Sequence, residues 1–284
     1  VNHGQRLKYR HHLTGKGMEI GALNLPFPVP LGVEVLYSDV LTPEQVRARY
    51  PGSRVPDIVS DSESYPSIAD HTFDFIIANH ILEHVTDPIR ALREWYRTLK
   101  SGGILYLTLP DKRFTFDRGR PRTPLSHLIE DHHSPLPPRE RNLGHLKEWA
   151  TFVEGLEPES EAWKRFVDYE YAKGYSVHNH VWILEDILEL LSYLDREGVA
   201  FDWIDGTDTH PEDLEFILIL RKNAHARRSD PKRRFRFQVR RVRTLAEGRA
   251  RRFTGEVYYG ARRQLKRVLT AARLIPGARQ SPTS

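Results

Sequence analysis

The 284-residue chain has no cysteine. That excludes a disulfide scaffold, a thiolate metal site and a cysteine nucleophile, and it suits a cytoplasmic protein. Long apolar runs are missing too. No stretch approaches the roughly 20 residues that cross a bilayer, and no basic leader followed by an apolar segment resembles a secretory signal. A membrane-spanning or exported protein is therefore disfavoured. What is present suffices for a core: 39% of residues are hydrophobic, and 5 Trp, 12 Tyr and 12 Phe can fill an interior, so the bulk of the chain is expected to fold.

The net charge of +5 conceals two unlike parts. Residues 221–284 hold 20 Lys/Arg and 3 Asp/Glu, a net +17, whereas residues 1–220 hold 23 Lys/Arg and 35 Asp/Glu, a net −12. The acidic body is a poor surface for duplex nucleic acid, while the tail is drawn to anionic partners. In residues 257–275, Val257, Tyr258, Ala261, Leu265, Val268, Leu269, Ala272 and Ile275 define an apolar stripe beside Arg262, Arg263, Lys266, Arg267 and Arg273. This pattern suits a helix lying on an anionic membrane at its cytoplasmic face. Docking on a partner or on the acidic body of a second copy, giving a homo-oligomer, is the alternative. Nucleic acid is disfavoured because no recognition motif accompanies the charge.

Within the body, short apolar runs alternate with amphipathic ones. Strands are expected at 18–20, 33–38, 57–60, 73–78 and 104–109, and helices at 43–50 and 86–99, the latter capped by Thr86 or Asp87. Ile89, Leu92, Trp95, Tyr96 and Leu99 recur at three- and four-residue steps, which makes one apolar helix face. Such alternation predicts an α/β protein with a mostly parallel sheet and helices on both faces. From Pro110 to Asn179 the pattern breaks into a His-, Pro- and charge-rich stretch followed by helical patterns at 142–153 and 159–173. An amphipathic helix at 183–196 and two strands at 200–204 and 215–220, antiparallel at a sheet edge, are expected to close the domain.

Five segments in this order resemble the class I S-adenosylmethionine-dependent methyltransferases of the small-molecule group: GMEIGAL at 17–23, VLYSDV at 35–40, DIVSDSESYP at 57–66, FDFIIANHILEHVTDPIRALREWYRTLKSGGILYLTLPD at 73–111, and the closing strand pair. A narrower likeness, through KGMEIGALNLPF and LPDKRFTFDRGRPRTPLSHLIEDHH, is to bacterial, mycobacterial-type polysaccharide O-methyltransferases. The resemblance implies a Rossmann-like doubly wound sheet over residues 1–222, an acceptor-side His-rich helical insertion at 112–180, and a basic, partly helical C-terminal extension at 223–284. It implies S-adenosylmethionine as cofactor. Ligands of such sheets bind beyond the carboxyl ends of the strands. Gly21 would allow close approach of the backbone to the methionyl part, and Glu19 would orient the turn and the cofactor's amino group. Asp39 would accept the ribose hydroxyls, Asp61 the adenine amino group, with Ser62 offering its N–H and Asn79 contacting the methionyl group. The family's turn carries three alternate glycines, but Leu23 and Leu25 stand at the second and third positions. Leu disfavours positive φ there. Ordinary strand-end solvation or capping is the competing account of Asp39 and Asp61.

Transfer of an activated methyl to an alcohol needs an aligned acceptor and a base. His132, His133, His145, His178 and His180 follow the fifth strand, and His178 and His180 alternate so that an extended chain would turn both to one side. They are expected to act as base and substrate donor, or as two ligands of one ion, or else to pack against Trp182. His80 at the end of the fourth strand and Asp111 at the end of the fifth are further catalytic candidates, with Glu83 and His84 as braces of a turn. An oxygen-rich site drawn from Asp111, Asp131, His132, His133, His178 and His180 is expected as a place for Mg²⁺. The leading expectation is O-methylation of a saccharide. The alternatives are O- or N-methylation of another small molecule, and a degenerate binding or scaffold protein.

Overall fold

The computed structural model describes residues 4–209 and 214–223. Seven strands form one sheet: β1 (Lys16–Ile20), β2 (Glu34–Asp39), β3 (Ile58–Val59), β4 (Phe73–Asn79), β5 (Leu99–Pro110), β6 (Phe201–Thr207) and β7 (Glu215–Lys222). Their order is β3-β2-β1-β4-β5-β7-β6. The first five run parallel, and β7 lies antiparallel to both β5 and β6. Among the described residues the α-helices are α1 (Gly4–Leu7), α2 (Pro43–Arg49), α3 (Pro88–Thr98), α4 (Leu125–His133), α5 (Pro138–Phe152), α6 (Glu161–Lys173) and α7 (Leu184–Arg196). Strand order reverses beside β1, between β2 and β4, which opens a crevice at the carboxyl ends of these strands.

Central strands β4 and β5 are near-continuous apolar runs because both their faces are covered. Ile76, Ala78, Leu105, Leu107 and Leu218 point to one side, where Leu92 and Trp95 of α3 and Ile187 and Leu190 of α7 pack on them. Phe75, Ile77, Tyr106, Ile217 and Ile219 point to the other. There helical cover is limited to the short α1. The second face is covered mainly by Leu7, Tyr9 and Leu13 of the N-terminal segment and by Phe27 and Val29 of the proline-rich connection. That connection, residues 21–33, contains Pro26, Pro28 and Pro30, which cannot supply a helix's N–H donors.

Helix starts follow local chemistry. Thr42 and Gln45 form a capping box for α2, and the Asp87 carboxylate accepts the Arg90 N–H at the start of α3. Asp87 therefore caps α3, and Thr86 lies outside it. In the insertion, α5 and α6 start earlier and later than 142 and 159 respectively, and α4 is a helix that periodicity does not reveal. Leu146, Trp149 and Ala150 of α5 meet Trp163 and Val167 of α6 in a core of their own. No helix among the described residues is long and apolar enough to cross a membrane. The basic stretch and apolar stripe beyond Asn223 lie outside the described residues.

Candidate active site

Strand β1 delivers Glu19 and Gly21 to the crevice. Gly21 has φ 66°, where a side chain is strained, and a Cβ on it would come within 2.6 Å of the end of the Ile81 side chain, so the position favours glycine. Leu23 corrects the sequence-based expectation, for it adopts φ 42° without being glycine. Left-handed backbone costs an L-residue about 1–2 kcal/mol, and the turn retains it. Leu25 is exposed, turning its side chain away.

Glu19 is buried, and both its oxygens accept the Phe27 N–H at 3.0 Å, tying the proline-rich connection to the end of β1. Burial pushes its carboxyl up to about 7, against the pull of that N–H, of the Arg6 charge and of Asn79. Asp39, at the end of β2, accepts the Leu41 N–H at 2.9 Å, and burial raises its carboxyl above the usual range. Asp61 is exposed, and its carboxylate accepts the Glu63 N–H at 3.0 Å in a local turn. Ser62 fixes that loop through its carbonyl, which accepts the Trp95 indole N–H at 2.9 Å. Glu63, which the sequence does not single out, receives the backbone N–H groups of Thr86 and Asp87 and so staples the loop to the start of α3.

At the end of β4, Asn79 accepts the Thr108 hydroxyl at 3.2 Å. His80 follows with φ 56°, a backbone state that non-glycine residues keep mostly where the surroundings impose it. Its Nε2 lies 2.5 Å from Glu215 Oε2, and its Nδ1 lies 3.4 Å from Glu83 Oε1. Glu215 opens β7 opposite Pro110, and Arg6 grips both its oxygens, with Nε at 2.7 Å from Oε1. Burial would raise Glu215, but the hydrogen bonds from His80 and Arg6 outweigh it and hold the carboxyl below its ordinary value. Glu83 is fully buried with neither carboxylate oxygen hydrogen-bonded, and burial pushes it up to about 7. Its carbonyl accepts the N–H groups of Asn179 and His180 at 2.7 and 3.2 Å, so the loop after β4 holds the segment that returns from the insertion.

The paired role expected for His178 and His180 is not what this segment builds. No strand forms there, and the two imidazoles enter separate groups. His178 Nδ1 lies 2.6 Å from Asp117 Oδ2, with its ring 4.8 Å from that of His84. Asp117 also binds Arg120 at 3.0 Å, and these hydrogen bonds overcome burial to hold it below the usual carboxylate range. His84 Nδ1 donates to the Val177 carbonyl at 2.9 Å, which makes Nδ1 the protonated nitrogen, and burial followed by the His178 charge pushes the imidazole down to about 4. His180 instead stacks on Trp182 at 5.5 Å and faces His127, Asp131 and His145. Burial pushes His145 down to about 3.

Asp111 is likewise corrected. It is fully buried, Arg113 binds both its oxygens, and the Thr209 hydroxyl donates to Oδ2 at 2.7 Å, so it anchors the end of β5. The oxygen-rich Mg²⁺ site therefore does not assemble: Asp111 is occupied by a guanidinium, and His132 bonds Asp87 at 2.9 Å beside the start of α3. His127, absent from the sequence-based candidates, stands four residues before Asp131 on α4. That spacing puts both on one helix face.

Residues 18–107 match the family described as methyltransferase domain. A Mycolicibacterium smegmatis protein named "probable S-adenosylmethionine-dependent methyltransferase" is 34% identical over 110 residues, covering 39% of this chain and 38% of that protein. An uncharacterized protein of Methanocaldococcus jannaschii is 31% identical over 108 residues, 36% of this chain and 48% of its own. The matched part thus spans less than half the length of either relative. A solved Rhodobacter sphaeroides chain described among Zn-dependent alcohol dehydrogenases aligns over 78% of this chain and 90% of its own at a TM-score of 0.51 and 13% identity, a likeness of α/β fold alone. The matched residues 18–107 run from β1 into β5 and so include the crevice at the ends of β1 and β4, which is where the likeness to a methyltransferase domain lies.

Proposed function

We propose that the chain moves the methyl group of S-adenosylmethionine to a nucleophilic oxygen or nitrogen of a small molecule, with His80 as the proton acceptor. The observation that carries this reading is His80 itself: a partly exposed imidazole in strained backbone at the carboxyl end of β4, its Nε2 held 2.5 Å from Glu215. An ionised Glu215, locked by Arg6, keeps the Nε2–H tautomer and leaves the Nδ1 lone pair for an incoming proton. The imidazolium that results would lie between Glu215 and Glu83, two carboxylates that stabilise it.

The residues present fit the cofactor. Glu19 is a buried carboxylate that burial pushes up to about 7 despite the Arg6 charge, and a cationic amino group in direct contact would relieve it. Leu23 keeps the left-handed turn that the missing glycine would have made. Glu19, Gly21 and Asn79 would hold the methionyl part and Asp39 the ribose hydroxyls. When bound, S-adenosylmethionine supplies a methyl already activated on sulfonium, so the chain's own work is to position the acceptor and take its proton.

A saccharide hydroxyl is one acceptor of this class, and other alcohols and amines are its competitors. Single-turnover assays with methyl-labelled cofactor against a panel of saccharides, small alcohols and amines test the reading, with calorimetry for cofactor binding alongside. Product from any acceptor that disappears in His80→Ala supports it. Absence of cofactor binding would sink it in favour of a binding or scaffold protein.

A further inference from the structure

The insertion contains a second polar group that the methyl-transfer reading does not use. His127 and Asp131 project from α4, His145 from α5, and His180 from the returning segment. Each offers one ligand atom, and the four atoms all lie within 4.8 Å of one another. His127 Nε2 is 3.2 Å from Asp131 Oδ2, and the Nε2 atoms of His145 and His180 are each 3.9 Å from it. The rings meet edge to face, His145 with His180 at 4.9 Å and His127 with His145 at 5.4 Å.

Two further observations mark this as a place for a ligand. His180 is completely buried, yet neither ring nitrogen has a partner in full hydrogen-bond geometry, the Thr86 backbone exerting a smaller pull on the ring than burial does. Asp131 Oδ2, the atom at the centre of the group, also lacks one. A buried polar atom left unpaired costs about 1–3 kcal/mol, and here such atoms from two residues converge on one point.

We propose that His127, Asp131, His145 and His180 bind one transition-metal ion, Zn²⁺ by the chemistry of the donors, and that the ion clamps α4, α5 and the returning segment together. Three imidazoles and one carboxylate suit Zn²⁺ and its neighbours in the first transition row, whereas Mg²⁺ requires a shell of oxygens. Tetrahedral bonds of about 2.0–2.1 Å put donor atoms about 3.3 Å apart. The His127–Asp131 pair already has that separation, and the 3.9 Å pairs reach it by a contraction of roughly half an ångström each. Four protein ligands leave no open position, so the site is structural. Its consequence for the active site runs through His180, whose N–H is held by the Glu83 carbonyl. The inference is independent of the acceptor and of methyl transfer itself.

The test uses the full chain, stripped with chelator and titrated with Co²⁺ and then Zn²⁺. One Co²⁺ per chain with the visible absorption of a tetrahedral ion, displaced by Zn²⁺, and an unfolding temperature that rises with either metal are expected. His127 is 40% exposed at its side chain, so His127→Asn should fold and yet bind Co²⁺ at least tenfold more weakly. His84→Asn should leave Co²⁺ binding intact, because Glu83, His84 and His178 form a different group. Absence of the tetrahedral band in the parent chain, an undiminished affinity in His127→Asn, or loss of binding in His84→Asn would each overturn the proposal.

Discussion

Asp117 and Asp131 are both buried carboxylates of the insertion, and each faces a histidine of the same short segment, His178 for one and His180 for the other. Asp117 has complete company: His178 at 2.6 Å and Arg120 at 3.0 Å, with Arg120 also donating to the His178 carbonyl at 2.7 Å and to Glu148 at 2.8 Å. Its carboxyl is held low. Asp131 has histidines at 3.2 to 3.9 Å and an unpaired oxygen, and burial raises its carboxyl. Both acids are buried, and the difference lies in where the guanidinium sits: Arg120 binds the Asp117 carboxylate directly, whereas Arg141 donates to the Asp131 main-chain carbonyl. A buried acid that is finished by its own chain is architecture, and one left incomplete is a vacancy for something else. Glu19 and Glu83, each pushed up to about 7, belong with Asp131 in this sense.

The largest effect should come from making the finished group incomplete. Arg120 and Asp117 side chains are at most 1% exposed, and deleting one partner of such a pair strands the other in a low-dielectric interior. Arg120→Ala should lower unfolding free energy by about 3–5 kcal/mol, read from urea denaturation. A loss under about 1 kcal/mol, the usual worth of an exposed ion pair, would erase the contrast with Asp131.

His80→Ala should act on rate instead. Removing the proton acceptor is expected to slow single turnover by about a hundredfold or more, while cofactor affinity stays within about threefold, a change of about 0.7 kcal/mol. Equal losses in both would assign His80 to cofactor binding.

Glu19 distinguishes an incomplete acid by pH. Its folded pKa of about 7 lies above the ordinary 4.5, so it contributes stability that is fully present below about pH 4.5 and is lost as pH rises through about 7, roughly 3 kcal/mol in all. A cationic amino group bound to the ionised form reverses the sign for affinity. Cofactor binding should weaken by about fivefold between about pH 7 and pH 6 and by about tenfold per unit further below, and Glu19→Gln should flatten that profile. Calorimetry across pH gives both curves.

The sheet was legible because its signals are local. β4 and β5 are apolar runs of strand length, and α3 carries its own stripe and cap. The insertion was legible only as helical mass. Helix α4 follows Pro124 without a side-chain cap, and its sequence mixes three histidines and two acids among its apolar residues, so no stripe stands out. The metal-capable group was invisible for a related reason: His127 and Asp131 have helix spacing, but His145 and His180 join them only through tertiary packing. His178 and His180 misled in the opposite direction, since alternation fixes a common side only in a strand, and Glu83 and Arg120 hold this segment by other bonds.

The smallest effect separates two acids that the resemblance puts on equal terms. Asp39 is partly buried at the end of β2, with burial raising its carboxyl, so a ribose hydroxyl that donates to it would find little competition from water. Asp61 is exposed and already accepts the Glu63 N–H, so an adenine amino group would exchange one solvated partner for another. Asp39→Ala should weaken cofactor binding about tenfold, or about 1.4 kcal/mol, the size expected of a buried polar contact left unmade. Asp61→Ala should cost less than about threefold, since hydrogen bonds exchanged with water carry little net free energy. Calorimetry on the two folded variants decides. A larger loss in Asp61→Ala would mean that the loop after β3 closes over the cofactor, burying Asp61 only in the bound state, and the contrast between finished and incomplete acids would then not extend to this half of the crevice.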